Sequence, residues 1–404
     1  MRAYDRLLRY VTADTQSNEK ARITPSTEKQ FRLARLLYRE MKALGMERVH
    51  LDENCYTYGF LPASPGMEKE PVIGFIAHID TAPDYSGAAV KPSLCLRYDG
   101  REIPLGESGL VLRPADFPDL YGCIGHTLII TDGTTLLGAD DKAGAAEIMT
   151  ACERLIRDRR PHGGVSVCFT PDEEIGHGAA LLDLERFGAD FAYTVDGGAV
   201  EEINFETFNA AAAHFRIRGV SVHPGSAKGI MVNAAHIAAR INAMLPPDEI
   251  PSKTEGYEGY YHLMEIKGNV SSAEMKYIIR DHDRDSYHAR CLRLREIERL
   301  MNEEYGSGTV TLDLQEQYRN MEEILSDHME IVERAEKAIH RAGLEPVTVP
   351  VRGGTDGAWL SFHGLPCPNL GTGGAGFHGP YEHISVENMD KAVEILLNIM
   401  GPQE

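Results

Sequence analysis

Glu173 and Glu174 stand side by side just past a short apolar run, Val165-Ser166-Val167-Cys168-Phe169, and Pro171 breaks the run before them. Neighbouring carboxylates at a strand end point different ways, so one can hold a metal ion while the other works as a general base. Alone the pair says little, because most adjacent glutamates are solvated surface charge. Residues of matching chemistry end other apolar runs, however. His78-Ile79-Asp80 follows the run 72–77. Positions i and i+2 share a strand face, so His78 can ligate a metal while Asp80 fixes its imidazole. In Leu137-Gly138-Ala139-Asp140-Asp141-Lys142, just before a helix, Asp140 can offer two oxygens to two metals. Asp141 sits where a helix-capping acid belongs, and the plainer reading is that both aspartates only cap. Asp196 ends a further apolar run, where an Asp is often only a turn former. His378 lies in the glycine-bearing loop 376–380.

Taken together, these residues are two His, two Asp and one Glu as ligands, with Glu173 to spare. Imidazole and carboxylate donors without thiolates suit a two-zinc hydrolytic centre, with Co2+ or Mn2+ as substitutes. A bridging carboxylate is what two closely spaced cations require. Glu173 would take a proton from a metal-activated water and pass it to a leaving amine.

The elements that must carry these residues alternate. Apolar runs at 72–77, 127–130, 165–169 and 191–195 are separated by helical patterns, including one from about 141 to 157. Continuous apolar strands alternating with helices imply a sheet covered on both faces. An amphipathic helix over 26–44 has Ser26 or Thr27 as its cap and Gly45 as its stop, and a last helix near 386–400 is capped by Ser385. Between 208 and 318 the rhythm becomes strand, helix, strand, strand, helix, strand, the βαββαβ order of a ferredoxin-like module. The expected architecture is an α/β/α catalytic domain in two parts, 1–207 and 320–404, with an inserted α+β lid domain at 208–319.

Composition narrows the partners. A formal net charge of −20 argues against nucleic acid and anionic membranes, which require clustered Lys and Arg. Seven scattered cysteines, odd in number and without a Cys-x-x-Cys, fit reduced thiols in the cytoplasm. No run approaches a membrane span, and the N-terminus has no apolar export core.

In this order, His78-x-Asp80, Gly138-x-Asp140-Asp141-Lys142, Glu173-Glu174, Asp196 and His378 resemble the M20 clan of dizinc peptidases and deacylases. Longer strings extend the likeness over essentially the whole chain: 77–84, 170–176, His223-Pro224-Gly225-Ser226-Ala227-Lys228-Gly229, Tyr277-Ile278-Ile279-Arg280-Asp281 and Arg352-Gly353-Gly354-Thr355-Asp356-Gly357. These resemble the clan's tripeptide aminopeptidases. The resemblance implies that His78 and Asp196 hold one zinc, Glu174 and His378 the other, and that Asp140 bridges them. Asp80 then orients His78, and Glu173 is the general base. It also implies a cis peptide between Asp140 and Asp141.

His223, at a Pro-Gly turn of the small domain, is a candidate for steadying an oxyanion. Arg280 and Arg352 are candidates for a peptide's terminal carboxylate, against the plainer reading as salt-bridge partners. Asn269 is a further candidate in the same domain. The expected activity is removal of the N-terminal residue from short peptides. The alternatives are an acyl-amino-acid deacylase or dipeptidase of the same clan, and a catalytically silent metal- or peptide-binding relative. The clan also suggests a small domain of a kind that forms homodimers. Gly371-Thr372-Gly373-Gly374-Ala375-Gly376 matches a dinucleotide fingerprint, but no helix follows it. His126, His177, His282 and His383 read as surface or packing residues.

Overall fold

The central strands are apolar on both faces, and helices cover both. The structure, a computed structural model, describes residues 1–403. The strands of its two principal sheets are β1 (Glu47–Leu51), β2 (Thr57–Leu61), β3 (Ile73–His78), β4 (Val165–Thr170), β5 (Phe191–Gly197) and β6 (Glu202–Asn204). They continue with β7 (Asn209–Arg218), β8 (Tyr260–Gly268), β9 (Ser272–Asp281), β10 (Val310–Tyr318), β11 (Val347–Thr348) and β12 (Asn369–Gly371). The principal helices are α1 (Ala3–Tyr10), α2 (Phe31–Leu44), α3 (Ala139–Asp158), α4 (Ala234–Ala243), α5 (Arg284–Tyr305), α6 (Met329–Arg341), α7 (Asp356–Phe362) and α8 (Val386–Met400). The chain divides into two units. One comprises Met1–Phe205, Ile324–Val349 and the chain from Thr355 onward; the other comprises Glu206–Glu323 and Pro350–Gly354.

The first unit is built on a sheet of order β1-β2-β4-β3-β5-β12-β6-β11. β3 runs parallel to β4 and β5, and β12 parallel to β5, while β1 and β2 add an antiparallel edge. Ile73, Phe75 and Ala77 pack with Val165, Val167, Phe169, Tyr193 and Val195 into a core that includes residues of α1, α2, α3, α6 and α8. The alternate residues Ile76, Cys168 and Ala192 join Tyr56, Tyr58, Phe187 and Leu360 in a second core. Two apolar faces explain the unbroken apolar runs and give the three-layer α/β/α architecture.

The run at 127–130 is not part of this sheet. Leu128–Ile130 is too short to span it, and pairs antiparallel with His383–Ser385 and Ser93–Cys95 in a separate small sheet. That pairing brings the approach to Asp140 alongside the end of the His378 loop.

Both ends of α2 can be compared with the sequence pattern. Gly45 takes the left-handed conformation (φ 80°) and returns its amide to Met41 and Lys42, as a helix stop requires. The start differs, because a 3-10 turn at Glu28–Gln30 precedes the helix and neither Ser26 nor Thr27 caps it. Ser26 instead donates its amide and hydroxyl to the buried carboxylate of Asp172, and its oxygen accepts the Asn18 amide at 2.9 Å in place of a helix amide. Ser385 does cap α8, accepting the Asn388 amide.

The second unit has sheet order β8-β9-β7-β10, all antiparallel. With α4 and α5 following β7 and β9, this is the ferredoxin-like βαββαβ topology. Ala211, Ala213, Phe215 and Ile217 of β7 alternate into its core beside Met275, Tyr277 and Ile279 of β9, Ile237 and Ile241 of α4, and Leu294 and Ile297 of α5. Pro350–Gly354 belongs to this unit and not to the C-terminal part of the larger one: Val351 bridges Thr207, and Arg352 lies over Phe208 and Tyr260. Among the described residues no helix is long and apolar enough to cross a membrane.

Candidate metal centre

Parallel pairing brings three strand ends together. His78, the last residue of β3, is in register with Thr170 at the end of β4, and Ile76 with Thr194 of β5. Two residues beyond that pair, His78 and Asp196 reach the same end of the sheet, where open α/β sheets bind their ligands. His78 Nε2 lies 2.9 Å from Asp140 Oδ1 and 3.4 Å from Asp196 Oδ1. His378 Nε2 lies 3.2 Å from Asp140 Oδ2 and 2.9 Å from Glu174 Oε2. The two oxygens of Asp140 therefore face two different imidazoles.

His78 and the turn that bears Glu173 and Glu174 are held from behind. The Asp80 carboxylate lies 3.4 Å from His78 Nδ1, and the Asp80 carbonyl oxygen is 3.2 Å from the same nitrogen. The same carboxylate accepts the amides of Glu173 (3.0 Å) and Glu174 (3.3 Å). Asp141, fully buried, accepts the amides of His78 and Gly144 at 3.1 Å each, so it caps α3 and ties that helix to β3. Ligand atoms of His78, Asp140 and Glu174 lie within 4.8 Å of one another, as do those of His78, Asp141 and Asp196. Asp141 is already spent on backbone amides, which leaves Asp140 as the acid offered to the cluster. The Asp140–Asp141 peptide is cis.

Burial and charge oppose each other here. Burial disfavours the His78 cation, yet Asp196, with hydrogen bonds to Asp140, Asp196 and Asp80, holds it well above the ordinary imidazole range. Burial likewise works against the Asp140 carboxylate, and the two imidazoles still keep it well below its ordinary value. Burial pushes Asp196 up to about 6 and Glu174 to about 7. Glu173 is raised well above the carboxylate range, first by burial and then by Asp196.

Three supports carry no local sequence signal. Asp172, left-handed at φ 58° just before Glu173, accepts from Ser26 and from Gln30 Nε2 at 2.7 Å. Asp356 accepts the Thr170 hydroxyl at 2.9 Å, and burial pushes it up to about 7. Glu382 accepts the amides of Leu137 and Gly138 at 2.7 Å each and of Asp140 at 2.9 Å. In each case the partners lie far apart in the chain, so no spacing rule reveals them.

The remaining candidates lie in the second unit. His223 Nδ1 accepts the Gly225 amide at 3.1 Å, so the neutral ring carries its proton on Nε2. Arg280 donates to the carbonyls of Ile279 (2.9 Å) and Ala211 (3.4 Å) and lies over the Tyr318 ring. Arg352 donates to the carbonyls of Gly256 (2.6 Å), Glu258 (2.9 Å) and Thr254 (3.3 Å). Asn269 Oδ1 accepts the amides of Ser271 and Ser272 and shapes the β8–β9 turn. Asn269 and the two arginines thus do scaffold work within their unit.

A sheet-end cluster of imidazoles and carboxylates on this two-unit α/β scaffold defines a metallopeptidase class, and the chain belongs to peptidase family M20/M25/M40, whose model matches residues 130–401. It is 51% identical over 401 residues to Peptidase T of Clostridium perfringens, covering 99% of this chain and 98% of that protein. Against Peptidase T of Bacillus licheniformis it is 52% identical over 399 residues, covering 98% and 97%. Among solved structures, aminopeptidase PepT from Bacillus cereus matches with a TM-score of 0.77 at 26% identity, covering 99% of this chain and 97% of that one. A Staphylococcus aureus tripeptidase shares the fold, with a TM-score of 0.78 at 22% identity and the same coverages.

Proposed function

We propose that the chain is a two-zinc aminopeptidase that removes the N-terminal residue of short peptides, tripeptides foremost. The observation that carries this reading is Asp140, whose oxygens face His78 and His378 while each imidazole also meets a second carboxylate, Asp196 or Glu174. One carboxylate shared by two imidazole–carboxylate sets suits a pair of cations. Glu174 Oε1, buried and without a hydrogen-bond partner, is a donor of the kind such an ion takes up. Nitrogen and oxygen donors without thiolate favour Zn2+, with Co2+ or Mn2+ as substitutes. His78 and Asp196 would hold one ion, Glu174 and His378 the other, and Asp140 both. The bound pair supplies Lewis-acid polarisation of the scissile carbonyl and a water that ionises near neutral pH.

Everything else falls to the chain's own groups. Asp80 holds Nδ1 of His78, so that Nε2 faces the cluster. Glu173 is the one carboxyl of the pair with no imidazole partner, and its environment suits it to carry a proton. It takes the proton of the attacking water and delivers it to the departing amine. In the small unit, which we read as a lid, His223 presents a protonated Nε2 suited to a developing oxyanion. Arg280, Arg352 and Asn269 are the further candidates for substrate contact in that unit. Seven unpaired thiols fit the cytoplasm.

The test pairs metal content per chain with hydrolysis of Ala-Ala-Ala and its N-acetylated form. Two metal ions and preference for the free amine are expected. Preference for the blocked peptide would point to a deacylase. Two ions without turnover of either would make the chain a silent relative.

A further inference from the structure

We infer that Glu382 is a positioning residue of the metal centre, one buried carboxylate that sets where Asp140 and His378 stand relative to each other. The inference rests on the ligand reading above and names what holds two of those ligands in place.

Glu382 is 2% exposed, and its carboxylate accepts amides from Leu137, Gly138 and Asp140. With its oxygens spent on three backbone donors, it is not itself a ligand. It fills the concave set of N–H groups that opens α3, a place where proteins often hold a free anion. The small sheet makes this reach possible. Ile384 pairs with Ile129 and Ser385 with Leu128, so the chain leaving one loop runs beside the chain entering the other.

The His378 loop is tight enough to transmit that anchor. The Glu382 amide returns to the Gly379 carbonyl at 3.3 Å, His378 itself sits at φ 61°, and Gly376 at φ 69°. A Cβ on Gly376 would lie 2.6 Å from the Tyr381 carbonyl oxygen, so only glycine fits there. From Gly376 to Glu382 the loop therefore has little freedom to shift His378 independently. The charge is also balanced within the core, since the fully buried ammonium of Lys142, fixed to the Ala13 carbonyl at 2.9 Å, lies in the field of Glu382. Loss of the carboxylate would leave three amide donors unpaired at the base of Asp140 and free the His378 loop.

The experiment compares Glu382→Ala and Glu382→Gln with Leu396→Ala, a core change in α8 remote from the ligands, all as full-length protein. Readouts are Zn2+ affinity by competition with a chromophoric chelator, the visible absorption spectrum of the Co2+-loaded protein, and Tm. Glu382→Ala should weaken Zn2+ binding by roughly 10- to 100-fold and alter the Co2+ spectrum. Glu382→Gln keeps one acceptor oxygen and should fall between Ala and wild type. Leu396→Ala should lower Tm with affinity and spectrum unchanged. Wild-type affinity and spectrum in Glu382→Ala would overturn the inference, as would equal losses in Leu396→Ala. If Glu382→Ala does not fold, Glu382→Gln decides, and wild-type affinity there would overturn it. A wild-type chain that takes up no cations would overturn the ligand reading and this inference together. Two cations held equally by wild type and Glu382→Ala would overturn this inference alone.

Discussion

The Asp80 carboxylate accepts the amide of Glu173 at 3.0 Å while lying 3.4 Å from Nδ1 of His78. A single buried acid therefore sets both the His78 imidazole and the backbone of the turn that bears Glu173 and Glu174. Its other oxygen takes the Glu174 amide, so the turn is held at two successive residues. Asp80→Ala should damage both sides of the site at once. Metal affinity is expected to fall roughly 10- to 100-fold through the released His78, and kcat should stay low even at saturating Zn2+. Full kcat at saturating metal would show that Asp80 acts on the imidazole alone.

The adjacent glutamates should separate cleanly. Glu174 meets His378 at 2.9 Å, whereas Glu173 has no imidazole partner. Glu173→Gln should retain two metal ions per chain and lose kcat by about 10²- to 10⁴-fold. Glu174→Gln should lose metal before anything else, read by metal analysis after dialysis. A Glu173→Gln enzyme with unchanged turnover would remove it as the base.

Gly144 is a packing constraint on the same scaffold. A Cβ there would lie 1.9 Å from the Val195 carbonyl oxygen and 2.5 Å from Asp141 Oδ1. Backbone cannot yield as a flexible side chain would, so Gly144→Ala must push α3 away from β5 or distort the Asp141 cap. We expect a loss of at least about 1–3 kcal/mol, measured by chemical denaturation, together with weakened metal binding.

Glu147 gives a pH signature. Both of its oxygens are buried without a hydrogen-bond partner, and burial alone holds it well above the carboxylate range. The folded chain keeps this proton where the unfolded chain has released it, so stability falls as pH rises above the unfolded value. In that window the loss is about 1.4 kcal/mol per pH unit from this group. Glu147→Gln should remove that slope, so its Tm advantage over wild type should grow as pH rises above the ordinary carboxylate range. Parallel Tm–pH curves for the two proteins would count against the assignment.

The fold was legible because burial on two faces leaves a direct trace. Residues such as Phe75 and Ile76 are both apolar because one faces each core, and the βαββαβ order needs only element periodicity. The run at 127–130 misled for the same reason, since three buried residues look alike in any sheet. The chemistry-bearing types announced themselves at strand ends, a helix start and a glycine-bearing loop, and the structure joins His78, Asp140, Glu174, Asp196 and His378 through a series of close contacts. Their supports did not. Asp172, Asp356 and Glu382 act across long chain separations, and residue spacing does not reveal partners so far away. Ser26 shows the cost of local reasoning, because its hydroxyl proton goes to Asp172, distant in the chain, and its oxygen accepts the Asn18 amide instead of a helix amide.

β12 occupies an interior place in the large sheet, between β5 and β6, although it follows every other strand of that sheet along the chain. Leu370 pairs with Val195 on one side and Ile203 on the other. A fragment that stops short of this segment holds His78, Asp140, Glu174 and Asp196 but lacks both the middle of their sheet and the imidazole that meets Asp140 and Glu174.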